Sequence, residues 1–140
     1  MINLTTWEES QELIKPVRYQ VFVIEQNIPE SEEWDDGDLG AIHALATVDD
    51  QVVGTGRLII HGSQAKIGRM AVLKEKRSQG LGRSILQALI QSGLDQGIND
   101  FILHAQVHAM PLYVSEGFTL VGEPFDEVGI PHQMMRLFKL

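Results

Sequence analysis

The chain is expected to fold as one α+β domain over residues 1–140, layered α/β/α, with helices on both faces of a mixed, mostly antiparallel sheet. Three features of the sequence predict this. Residues 42–48, 52–60 and 64–73 are apolar, β-branched-rich runs separated by turns of two or three residues, the pattern of successive antiparallel hairpins. Residues 81–94 instead repeat Leu81, Ile85, Leu86, Leu89, Ile90 and Leu94 at helical spacing, and leave Arg83, Gln87 and Gln91 on the outer face. After that helix, Phe101-Ile102-Leu103 is wholly apolar, as in a strand covered on both sides. Strand, helix and strand there make one parallel crossover.

Residues 3–6 read as a short first strand. Thr6-Trp7-Glu8-Glu9 has the form of a capping box, with Thr6 accepting from the third helical N–H. Pro16 interrupts the helix so begun, which predicts a kink, or a second short helix with Pro16 in its first turn that runs through Val17, Val21 and Phe22. Residues 27–40 carry Pro29, Gly37 and six acids between Glu30 and Asp38, and read as a loop. Asp49-Asp50-Gln51 joins the first hairpin, and Gly54 and Gly56 mark a bulge or a close backbone approach in its second arm. Gly62-Ser63 turns the chain into the strand over 64–73. Gly97 ends the long helix, residues 107–116 form a short one that Gly117 stops, and residues 118–122 and 132–138 close the sheet. The order is β-α-β-β-β-α-β-α-β-β.

Composition narrows the function. The absence of cysteine excludes disulfides, thiolate metal sites and a covalent acyl-cysteine intermediate. No apolar run approaches a membrane span and the first residues lack a signal-peptide pattern, so a soluble, cytoplasmic protein is expected. A net charge of −8 argues against nucleic acid as the main partner. Six of the 11 basic residues, Lys66, Arg69, Lys74, Lys76, Arg77 and Arg83, nevertheless fall close together in sequence. An acidic chain with one basic island suits a small polyanion. No His/Asp/Glu set has metal-ligand spacing, and no metal is expected.

That island surrounds Arg77-Ser78-Gln79-Gly80-Leu81-Gly82-Arg83. A glycine turn that opens a helix directs free backbone N–H groups and the positive end of the helix dipole at one point, an anion site. The same turn is by itself an ordinary helix cap. The dinucleotide fingerprint fails on spacing and on the antiparallel strands before it, and the phosphate-loop pattern lacks its Gly-Lys-Ser/Thr.

Arg77-x-x-Gly80-x-Gly82 after Arg69-Met70-Ala71-Val72, followed by Ala109-x-x-Leu112-Tyr113 and Gly117-Phe118, resembles the GNAT superfamily of acyl-CoA-dependent N-acetyltransferases over the whole order of elements. Val21-Phe22-Val23-x-Glu25-Gln26, His43 and Gly129-Ile130-Pro131-His132 resemble the small bacterial ElaA/YjcF-like group within it. The resemblance implies the GNAT fold, with the central strands splayed, and acetyl-CoA as donor co-substrate. It implies pyrophosphate on the backbone of Gln79, Gly80, Leu81, Gly82 and Arg83 beside Arg77 and Ser78, and pantetheine along the main chain of Met70, Ala71 and Val72. Gln106 stands where many relatives carry a cofactor-contacting Asn. Tyr113 is implied as the general acid that protonates the departing sulfur, and could otherwise be a ring packed for burial.

The acceptor implied is a small-molecule or peptide amine, attacking directly in a ternary complex. Candidates for its base are Glu25, His43, His104, His108 and His132, with Glu25 the site residue preferred here. Glu25 could instead pair with Arg18. The acidic run reads as solvated, or as a steering surface for a cationic amine. A non-catalytic acyl-CoA-binding or partner-binding module with a vestigial cleft is the competing class, and a nucleotide-phosphate enzyme is a third. Monomer and homodimer are equally compatible with the sequence.

Overall fold

Strands β1 (Ile2–Thr5), β2 (Ile42–Val48), β3 (Gln51–His61), β4 (Gln64–Val72), β5 (Asp100–Gln106), β6 (Thr119–Glu127) and β7 (Ile130–Phe138) form one sheet in the order β1-β2-β3-β4-β5-β7-β6. The computed structural model describes all of residues 1–140. Helices are α1 (Trp7–Arg18), α2 (Glu30–Glu33), α3 (Leu81–Asp95) and α4 (Met110–Ser115). Every neighbouring strand pair is antiparallel except β4 with β5. No helix is long and apolar enough to cross a membrane.

The apolar stripe of α3 lies on one face of the sheet, with Ile85, Leu86 and Leu89 fully buried against Leu58, Ile67, Phe101, Leu103 and Met135. Burial of each such side chain contributes about 1.5–3 kcal/mol. Glycine admits the helix closely. A Cβ on Gly56 would meet Met70 Sδ at 2.7 Å and Ile85 Cγ2 at 2.9 Å, and one on Gly93 would meet Phe101 Cε1 at 2.5 Å. Gly54 and Gly56 thus mark an approach of α3 to β3.

The opposite face is covered by α1 and its continuation. Thr6 caps α1 through Oγ1, which accepts from the Glu9 N–H at 3.3 Å. Pro16 does not end this helix: it lies inside α1, and residues Tyr19–Glu25 continue it in π-helical form. The wider turn replaces the expected kink or second helix, and seats Val21 and Phe22 with Val17, Ile28 and Ala71 in a second core cluster. Asp49 and Asp50 both have positive φ, 50° and 64°, so the β2–β3 turn is a two-residue type I′ hairpin.

Two irregularities shape the sheet. Opposite β3, the register of β4 shifts between the pairs Thr55↔Ala71 and Arg57↔Gly68, and Arg69 in the shifted segment has φ 51°. The extra residue is a bulge: Ala65 and Ile67 face α3 before it, Met70 and Val72 after it. The second bulge is in β6, between Val121 and Phe125. Buried Gln133 satisfies it by donating to the Val121 and Gly122 carbonyls at 3.0 and 3.1 Å. Beyond this bulge β6 continues to Glu127, five residues past the expected end.

Residues 27–40 are solvated only in part: Glu30, Glu32, Asp35 and Asp36 are exposed, but the segment is not all loop, since it holds α2, and two of its acids are buried. Glu33 and Asp38 are buried with Arg18, whose Nε donates to Glu33 Oε1 and whose Nη1 donates to Asp38 Oδ1, both at 2.6 Å. Arg57 donates to Asp35 and Asp38, and Arg69 to Asp35. Trp7 and Trp34 each stack near the Arg18 guanidinium, 5.5 and 5.2 Å from it. Three arginines thus neutralise three of the six acids and tie the segment to β3 and β4. Arg18 accordingly does not pair with Glu25.

Candidate active site

β4 and β5 pair only from Gln64↔Asp100 to Ile67↔Leu103. Beyond Ile67, β4 bulges away, while β5 keeps its ladder with β7 as far as Gln106↔His132. The strands splay, and a cleft of about 1040 Å³ opens between them. Its walls include the β4 residues Gly68 to Val72, the π-helical segment, the 77–83 turn, and the ends of β5, β6 and β7.

The turn takes its shape from backbone conformation. Ser78 and Gly80 have φ of 66° and 80°, and Gly80 is the N-cap of α3 without a side-chain cap. Ser84 is bonded to the Gly80 carbonyl at 3.0 Å, so the N–H groups ahead of it have no acceptor within the helix. Gly80 needs its glycine for the left-handed backbone. Gly82 does not: it is helical, and a Cβ there would meet only Leu112 Cδ2 at 3.7 Å. The open side of Gly82 faces the cleft and leaves room for a ligand to approach the backbone.

Of the seven turn residues, Gln79 alone does not line the cleft, and Lys76 does while Lys74 does not. Arg77 is committed elsewhere. Its two terminal nitrogens donate to the two Glu25 oxygens at 2.6 Å, and its Nε donates to the Val72 carbonyl at 2.9 Å. The bidentate bond holds the Glu25 carboxyl below the usual carboxylate range, and it clamps the turn to the π-helical segment. Arg83 pairs with Glu116 at 2.8 Å. Backbone N–H groups and Lys76, more than the two arginines, are therefore the turn's free donors.

Met70, Ala71 and Val72 line the cleft on β4, and Gln106 lines it on β5. Gln106 exchanges amide hydrogen bonds with Gln26, at 2.9 and 3.3 Å, across the open end of the splay. Tyr113 on α4 is 6% exposed, packs edge-on to Phe118 and reaches the cleft. Burial pushes its phenol up to about 12, so at neutral pH it is a proton donor.

The histidines separate. His43 is 1% exposed, bonded through Nε2 to the Asp38 carbonyl at 2.9 Å and packed on Trp7, and burial holds its pKa down. His108 bonds to Gln106. His104 and His132 both line the cleft beside Glu127, which the sequence did not single out. Its strand reads as ending at Gly122, because Gly122 and Pro124 look like a terminus and not a bulge. The residues around Phe125, Glu123-Pro124 before it and Asp126-Glu127 after it, carry no alternation that would have signalled the continuation.

Comparison with known proteins agrees with this geometry. Residues 10–139 match the family model of an acetyltransferase (GNAT) domain. YjcF of Bacillus subtilis, an uncharacterized N-acetyltransferase, is 40% identical over 86% of this chain and 87% of its own. ElaA of Escherichia coli is 30% identical over 83% and 79%. Among solved structures, an acyl-CoA N-acyltransferase from Pseudomonas aeruginosa superposes with a TM-score of 0.87 at 29% identity, covering 98% of both chains. The crystal structure of ElaA gives 0.88 at 26% identity, covering 98% and 99%. By sequence and fold alike, the chain belongs to the GNAT family of acetyltransferases.

Proposed function

We propose that the chain transfers an acetyl group from acetyl-CoA to an amine by direct attack within a ternary complex. The observation that carries this reading is the splay of β4 from β5, which leads from a glycine turn rich in free N–H groups to a protonated, buried phenol. The turn from Ser78 to Arg83 would hold the pyrophosphate, with Lys76 adding charge. The main chain of Met70, Ala71 and Val72 would receive the pantetheine much as an added strand is received. Arg77 and Glu25 act here as the clamp that fixes the turn, and Gln26 with Gln106 closes the end of the splay.

Acetyl-CoA supplies an activated thioester. Tyr113 donates its proton to the sulfur as the C–S bond breaks, and burial suits it to this by keeping the phenol neutral. A chain without cysteine offers no thiol for an acyl-enzyme, which fits direct transfer to the amine.

The test is thiol release from acetyl-CoA with a panel of primary amines such as spermidine, phenethylamine and a lysine-containing peptide. Turnover with at least one is expected. Tyr113→Phe should lower kcat by about 100-fold and leave the acetyl-CoA Kd within twofold. Tight acetyl-CoA binding without turnover of any amine would instead support a non-catalytic acyl-CoA-binding module.

A further inference from the structure

We infer that His104 is the general base that deprotonates the acceptor, that Glu127 orients it, and that the acceptor is therefore a cationic primary amine seated on the β5–β6–β7 side of the cleft. This rests on the acetyl-transfer reading. The alternation of the strands brings the parts together. On β5, Phe101, Leu103 and Ala105 turn to the α3 core, which leaves His104 and Gln106 on the other face. The pairs His104↔Met134, Gln106↔His132, Phe125↔His132 and Glu127↔Ile130 carry that face across β7 to β6. Three residues from three strands meet there.

His104 directly follows Leu103, the last β5 residue paired with β4. Its ring therefore stands where the cleft opens. Nδ1 lies 3.0 Å from Glu127 Oε1. An ionised carboxylate only accepts, so Nδ1 carries the proton and Nε2 keeps its lone pair. Phe125 meets the His104 ring edge-on at 5.1 Å and stacks on His132 at 6.1 Å, which fixes both imidazoles. His132 donates from Nδ1 to the Ile130 carbonyl at 2.7 Å, and its Nε2 stands 3.8 Å from Glu127 Oε2. Two acceptors at that separation, too far apart to bond to each other, offer an ammonium group a place to donate to both.

The other candidates are less free. Glu25 has both oxygens on Arg77, His43 is sealed beneath Trp7, and His108, which also lines the cleft, has its Nε2 engaged by Gln106 Oε1 at 2.8 Å. Besides Tyr113, the charged and titratable groups that line the cleft with His104 are Glu127 on β6, His132 on β7, Lys66 and Arg69 on β4, and Arg57 on β3 with Glu32, Glu33 and Asp35 of the acidic segment. His108 just past β5, the Glu25–Arg77 pair, and Lys76 and Arg83 at the turn complete the set.

The protons balance. The ammonium gives one proton to His104 Nε2, and the free amine forms the C–N bond. As the tetrahedral adduct collapses, the C–S bond breaks and Tyr113 protonates the thiolate. The second proton leaving nitrogen restores Tyr113, so each transfer releases one proton from His104 to solvent.

The experiment measures kcat/KM against pH for wild type, His104→Gln and Glu127→Gln, with the fastest amine of the panel as probe. It adds acetyl-CoA affinity and the His104 tautomer by nitrogen NMR. Expected are an Nδ1–H tautomer in wild type, a loss of about 100-fold in kcat and of the acidic limb in H104Q, and in E127Q a smaller loss with that limb moved to lower pH. Acetyl-CoA affinity should be unchanged in both variants. A wild-type enzyme active on the probe, with H104Q retaining full kcat and the same acidic limb, overturns the base assignment alone. A folded wild-type chain that acetylates no amine overturns the parent reading.

Discussion

Replacing Arg18 by Met tests the ion network that supports the cleft. The side chain keeps an unbranched apolar stem and loses the guanidinium with its charge. Arg18 is 1% exposed, and its carboxylate partners have side chains only 3% exposed. Removing one partner of a buried pair costs about 3–5 kcal/mol, because the other charge is left uncompensated. The remaining contacts decide where in that range the cost falls. Asp38 keeps Arg57 at 2.9 Å, whereas Glu33 keeps only Arg69 at 3.4 Å. The lower end, about 3 kcal/mol, is expected.

Unfolding entropy of about 2.1 cal/mol/K per residue gives roughly 0.3 kcal/mol/K for a chain of this length, and hence a Tm lower by about 10 °C. The pH dependence is diagnostic. Burial already raises the Glu33 carboxyl above its ordinary value, and the Arg18 charge opposes that rise. Without Arg18 the pKa climbs further. A group whose folded pKa is raised favours the folded state below its unfolded pKa, and loses that contribution as pH rises through the folded value. The deficit of R18M should therefore be largest near pH 7 and narrow towards pH 5, and Glu33→Gln in the same background should recover part of it. A calorimetric Tm within 2 °C of wild type, or a deficit independent of pH, would refute this account of the network.

Gly82→Ala should separate stability from binding. Alanine in the first turn of α3 meets only Leu112, so stability should hold or rise by up to about 1 kcal/mol, while calorimetry should show weaker acetyl-CoA binding. Gly93→Ala should cost about 1–3 kcal/mol by crowding Phe101, read as a lower urea midpoint at unchanged m-value. Tyr113 should make the protein sensitive to alkali. With its folded pKa at about 12 against roughly 10 when unfolded, its contribution is full below pH 10 and is lost as pH rises towards 12. Wild type should lose about 2–3 kcal/mol more than Y113F over that window, measured by denaturant titration at both ends.

Where the physics was local, the sequence was readable. The α3 stripe, the Thr6 cap, the first hairpin and the glycine turn each follow from residues within one or two turns of one another, and the order of elements along the chain follows from them, whereas the place of β7 between β5 and β6 does not. The π-helical segment was not legible, because Val21 and Phe22 suit α and π geometry equally and tertiary packing chooses. The acidic loop misled for a related reason. Six acids in a short stretch look solvated, and the arginine partners of the three that are paired lie 15 to 36 positions away, where no spacing rule reaches. Distance in the chain also hid the partner of Glu25, 52 positions off, and the dyad of His104 with Glu127, 23 positions off. Tyr113, Gly80 and Gly82, which all line the cleft, could be placed because each sits in an element that its neighbouring residues define.

The four-pair seam between β4 and β5 has a mechanical consequence. It is the sheet's only parallel join, and it divides β1 to β4 from β5, β7 and β6. The chain termini lie in different halves, Met1 beside β1 and Leu140 just past β7. Tension applied between the ends therefore loads that seam, while the longer β2–β3, β3–β4 and β5–β7 ladders hold each half together. Pulled apart, the protein would part either along its cleft or at the equally short β1–β2 ladder, which also has four pairs.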